Sequence, residues 1–113
     1  MSAGFKVGDE VFWGTNGAVE AYLEEMAVEA ASRFGPDDPL AAFLKDECDC
    51  FAMGRIAFLD EWLADAASRG RFLELLDAAT AELLEKGTFT DYGREWVATV
   101  VRDLRARIAS GGD

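Results

Sequence analysis

The sequence predicts an all-α fold, a compact bundle of about five helices preceded by a short extended N-terminal arm. Three observations carry that expectation. Apolar residues recur at helical spacing through most of residues 16–110. Cap and stop residues bracket those stretches. Half of the 113 residues are hydrophobic, and eight Phe, three Trp and two Tyr are too many rings for a disordered acidic chain. The whole of 1–113 reads as one acidic helical domain, with the arm over 1–15 and the bundle over 16–110.

The arm is Phe5-Lys6-Val7-Gly8-Asp9-Glu10-Val11-Phe12-Trp13-Gly14. Gly8-Asp9 is turn chemistry, and Val11-Phe12-Trp13 has strand preference. The expectation is an extended segment that lays Phe12 or Trp13 on the helices, or offers these rings to a partner subunit. Asn16 is the expected N-cap of the first helix, with Gly17 and Glu20 behind it. Val19, Tyr22, Leu23, Met26, Ala30 and Phe34 form its apolar stripe, and Gly35-Pro36 stops it.

Asp38 and Pro39 open the second helix, as cap and first helical residue, with Leu40, Phe43, Leu44, Cys48 and Phe51 expected inward. Residues 51–59 are apolar on more than one side, so a buried helix and a short strand both fit. The preferred reading bends at Gly54 and starts a third helix near 58–68, with Leu59, Trp62, Leu63 and Ala66 inward. A fourth helix over 70–86 carries Phe72, Leu75, Leu76, Ala79 and Leu83 and ends at Gly87. Thr90 caps a fifth, with Tyr92, Trp96, Val97, Val100, Val101, Leu104 and Ile108 in one stripe. Gly111-Gly112 frays its end.

The negative charge is regional. Residues 9–65 hold 14 acidic side chains against Arg33, Lys45 and Arg55, while the other residues hold eight acids and eight bases. Glu20 with Glu24, and Glu25 with Glu29, stand four apart on the first helix, where like charges repel by a few tenths of a kcal/mol, about 0.2–0.5. Asp46 with Asp49 adds another same-sign pair on the second. The leading expectation is a small non-enzymatic cytoplasmic interaction module, inhibitor- or immunity-like, that offers Glu20, Glu24, Glu25, Glu29, Asp46, Asp49 and Trp13 to a basic protein surface. A solvated face tolerated for solubility accounts for the same charges.

Several chemistries are excluded or left weak. The chain has no histidine, which removes His-based nucleophilic and metalloprotease arrangements. Cys48 and Cys50 point to different sides of a helix, so neither a mutual disulfide nor a zinc site is expected. No cofactor is expected under the leading reading. The alternative is a magnesium-dependent nucleotide phosphohydrolase or small-ligand site built on Glu25, Glu29, Glu61 and Asp65. The Glu-Glu-x-x-Glu and Glu-x-x-Asp spacings such helical enzymes use are each missed by one residue. A second alternative is a structural homodimer formed through Phe5, Phe12 and Trp13. Nucleic acid is not an expected partner, because Arg94, Arg102, Arg105 and Arg107 are matched by nearby acids. No membrane is expected either, since no run approaches the roughly 18 apolar residues of a span and no signal-peptide core is visible.

Overall fold

The segment read as an arm is two strands of a sheet. β1 (Ser2–Val7) and β2 (Glu10–Thr15) pair antiparallel, with Phe5 opposite Phe12. Gly8 takes φ +59° and Asp9 stays at negative φ, the pattern of a type II′ turn, whose twist suits a two-residue hairpin. The computed structural model describes residues 2–50, 55–87 and 89–111. Within them, β3 (Ile56–Phe58) adds parallel to β1 with Ala57 opposite Phe5, giving the order β2-β1-β3. The fold is therefore α+β, mostly helical with a three-stranded mixed sheet, and the expected all-α bundle is corrected. The reason is long-range: β1 finds its parallel neighbour far along the chain, and no local period reports such a pairing.

Strand alternation sorts the side chains. Ala3, Phe5, Val7, Phe12 and Ala57 are buried on the inner face. Val11, Trp13, Ile56 and Phe58 share the outer face with Lys6, whose ammonium lies 5.7 Å from the Phe58 ring centroid. Trp13 is 50% exposed and Phe58 63%. The inner face packs on the helices.

α1 (Asn16–Phe34) is capped one residue earlier than expected, by Thr15, whose hydroxyl oxygen accepts from the Ala18 N–H. Its stripe holds, with Val19, Tyr22, Leu23, Met26 and Ala30 buried and Phe34 half-buried. Gly35 follows at φ +93°. α2 (Pro39–Asp49) starts where Asp38 accepts from the N–H groups of Leu40 and Ala41, at 3.0 and 3.3 Å. α1 packs against both α2 and α3 (Ala66–Lys86).

The third helix expected over 58–68 is not there. Phe58 belongs to β3, Asp60–Leu63 make one 3-10 turn, and Asp65 caps α3 by accepting from the Ser68 N–H. Phe51, the bend at Gly54 and the fraying at Gly112 lie outside the described residues. The last helical rod is α4 (Asp91–Trp96), a π turn over Val97–Val101, and α5 (Arg102–Ala109). The wide turn re-phases the stripe. Trp96 and Val101 are both buried although five residues apart, a spacing that α geometry rotates by about 140°. Tyr92, expected inward, is exposed, and Gly93 is buried in its place.

Trp96 ties the rod to the hairpin. Its Nε1 donates to the Trp13 carbonyl at 2.7 Å, and its ring lies where a side chain on Gly14 would stand. Tyr22 meets it edge-on at 5.5 Å and stacks on Phe89 at 6.2 Å. The fully buried Tyr22 shares a 2.8 Å hydrogen bond with Thr80, and burial pushes its phenol above the usual value.

Candidate functional site

The carboxylates expected on one face of α1 divide between two neighbours. Successive helical residues are about 100° apart, so Glu24 and Glu25 cannot look the same way. Glu25 turns to α3 and pairs with Lys86, its side chain only 16% exposed. Glu29 pairs with Arg33 at 3.0 Å, and Arg33 also reaches Glu74 of α3 at 3.8 Å. Both acids are neutralised, and the Glu25–Lys86 and Arg33–Glu74 pairs link α1 to α3.

Glu20 and Glu24 turn instead toward the end of α2. The half-buried Cys48 thiol registers their presence. Burial, followed by the charges of Glu24, Asp49, Glu20 and Glu47, pushes it up to about 11. Two members of this group are compensated: Arg55 makes a bidentate pair with Glu47, and Lys45 reaches Asp49 at 2.7 Å. Each partner holds its cation above the usual value. Glu20, Glu24 and Asp46 have no cation within ion-pair distance among the described residues. Among the described residues, nine of the eleven cations are meanwhile paired with carboxylates. The acidic end of the α1–α2 hairpin is therefore uncompensated in part, and Arg55 links it to the start of β3.

The residues of the magnesium alternative do not gather. Glu25 is held by Lys86, Glu29 by Arg33, and Asp65 by the first turn of α3, while Glu61 is exposed on the 3-10 turn. Among the described residues no three Cys, Asp or Glu side chains converge as a metal would require. Cys50 is exposed and Cys48 half-buried, both as free thiols.

The rings expected at a dimer contact also separate. Phe5 and Phe12 are core residues, and of the three only Trp13 faces outward. A groove of about 340 Å³ beside it is lined by Trp13, Tyr92, Glu95, Trp96, Thr99 and Val100. The sequence reading missed Phe58 and Ile56, which complete the outer apolar face. The Arg cluster at the C-terminal end makes two long-range pairs, Arg105 with Asp77 at 2.7 Å and Arg107 with Glu10 at 3.7 Å. Arg94 and Arg102 pair locally with Asp91 and Asp103.

The chain matches no protein-family model, and no curated protein or solved structure is significantly similar to it. Among the described residues no helix is long and apolar enough to cross a membrane.

Proposed function

We propose that this protein is a small non-enzymatic interaction module that captures a basic protein surface on the acidic end of its α1–α2 hairpin, as an inhibitor or immunity protein would. The observation that carries this reading is the unpaired state of Glu20, Glu24 and Asp46 among the described residues, while Arg33, Arg71, Lys86, Arg94, Arg102, Arg105 and Arg107 pair with carboxylates elsewhere. A patch of that kind speeds encounter with a positive surface by roughly 10- to 1000-fold and loses its pull as salt rises.

The test compares two variants of equal net charge. One carries Glu20→Lys, Glu24→Lys and Asp46→Lys; the other carries Asp9→Lys, Glu85→Lys and Glu95→Lys. Binding of a Lys/Arg-rich peptide, read by fluorescence anisotropy at low salt, weakens at least ~10-fold more in the first than in the second. Equal weakening means that bulk charge alone attracts the peptide, and the reading fails.

A second reading, a structural homodimer through the outer sheet face, is favoured by the exposed rings of Trp13 and Phe58. Its weakness is size. Strand spacing gives this face roughly 200–300 Å², against about 800 Å² per partner in a stable complex. Sedimentation decides: a dimer that dissociates on Trp13→Ser with Phe58→Ser establishes it, and a monomer at high concentration removes it.

A further inference from the structure

Arg69 and Arg107 come together beside the Gly8 turn, with Lys6 on the outer face of the same turn. Lys6 and Arg69 have no carboxylate within ion-pair distance among the described residues. The Lys6 ammonium donates to the Gly8 carbonyl, and Arg69 reaches the Leu63 carbonyl only at 3.4 Å. Arg107 has a loose pair with Glu10 at 3.7 Å, and its Nη1 is buried with no hydrogen-bond partner among the described residues. A buried donor left unmet costs about 1–3 kcal/mol, and Nη1 is closed to water-sized contact, so the other nitrogens of this side chain are the ones that can meet a ligand in the cleft. Both guanidiniums line a cleft of about 110 Å³ together with Val7, Gly8, Asp60, Leu63, Ile108 and Gly111. At about 30 Å³ per water, such a cleft has room for one small polyatomic ion.

We propose that this cleft is a binding site for a small oxyanion, a phosphate or carboxylate group held in the forks of Arg69 and Arg107. Planar guanidinium donors match such groups two hydrogen bonds at a time. Gly8 permits the arrangement: a Cβ there would stand 3.0 Å from Arg107 Nη2, at a backbone φ of +59°. Opposing charge is present, and its strength decides the affinity. The Asp60 carboxylate is engaged by the Gly8 N–H at 2.8 Å, and Glu10 is 59% exposed. The carbonyl end of α5 adds partial negative charge at Gly111. Arg69 and Arg107 face Asp60 and Glu10 here, and the Asp65 carboxylate is near enough to feel Arg69, so binding rests on the geometry of the two forks and not on a surplus of positive charge. The remaining acids of this chain act through solvent, where charges beyond about 8 Å are largely screened at physiological salt. The expected affinity is weak, on the order of millimolar.

The test is a ¹H–¹⁵N NMR titration with inorganic phosphate, and separately with acetate, against sodium chloride at constant ionic strength. The expected result is saturable movement of the Gly8, Ile108 and Gly111 amides and the Arg107 Nε–H with at least one oxyanion, and no saturation with chloride. Arg69→Gln weakens it about 10-fold or more. Arg69→Lys, which keeps the charge and loses the fork, falls between the two. Unchanged amides elsewhere show that the fold survives. Linear shifts, shifts shared by chloride, or full binding by Arg69→Gln and Arg107→Gln would each mean a solvated arginine pair and overturn the site.

Discussion

Replacing Gly14 with alanine tests whether the N-terminal hairpin is welded to the last helix. The new Cβ would stand 2.6 Å from Trp96 Cζ2 and 2.7 Å from Cε2. Carbon pairs settle at about 3.5–4.0 Å, so the indole must retreat by about 1 Å. Little room is available, because Trp96 is 3% exposed and Tyr22 backs its ring at 5.5 Å. Overpacking of this sort costs about 1–3 kcal/mol. Retreat also loosens the Nε1 bond to the Trp13 carbonyl, worth about 0.5–1.5 kcal/mol. The expected loss is thus about 2–4 kcal/mol, a large share of the roughly 5–15 kcal/mol that holds a domain folded. At about 3–5 °C per kcal/mol for this chain length, Tm falls by roughly 6–20 °C. Urea unfolding followed by tryptophan fluorescence measures the loss. In a Trp96→Leu background the same substitution should become nearly neutral. A Gly14→Ala protein within about 0.5 kcal/mol of wild type would refute the packing argument.

Three further outcomes are expected. Tyr22→Phe costs about 1 kcal/mol through the lost Thr80 bond, and in alkaline absorbance titration the step that Tyr22→Phe removes lies above the ordinary tyrosine value of 10.0; a removed step at or below that value contradicts this. Asp38→Ala costs about 1–2 kcal/mol at neutral pH as a lost cap. Because the Arg71 hydrogen bond holds the Asp38 carboxyl below its ordinary 3.8, its stabilisation is present above that value and lost as pH falls through the folded one. The gap between wild type and variant in urea midpoint therefore narrows in acid, and a constant gap refutes the coupling. Alkylation of Cys48, measured in a Cys50→Ser background, follows an apparent pKa of about 11. Glu20→Gln with Glu24→Gln lowers it and speeds reaction at pH 8; no change would mean that the two carboxylates do not converge on the thiol.

The helices were legible because their signals are local. Asp38-Pro39, Gly35, Gly87 and Thr90 punctuate the chain where the structure does. The sheet was harder. Phe5-Lys6-Val7 and Val11-Phe12-Trp13 alternate across a Gly-Asp turn, and that hairpin pattern was present to be read. Its parallel partner was not, since Ile56-Ala57-Phe58 is too short for any period to separate strand from helix. The same limit governs the charges. Spacing of four along α1 groups Glu25 with Glu29 and Glu20 with Glu24. Which pair meets Lys86 and which meets Cys48 is set by packing between helices. The Arg69–Arg107 cleft had no sequence signal at all, because its two cations come from α3 and α5.

The position of β1 has a consequence for how this chain is made. It precedes every other element, yet it is the middle strand, flanked by β2 on one side and β3 on the other. During synthesis its second edge stays unpaired until Ile56–Phe58 has left the ribosome, and the hairpin lacks its Trp96 anchor until later still. Structure with contacts this distant in sequence closes slowly and exposes sticky intermediates. The nascent hairpin is thus a stretch on which a chaperone could act while its later partners are made.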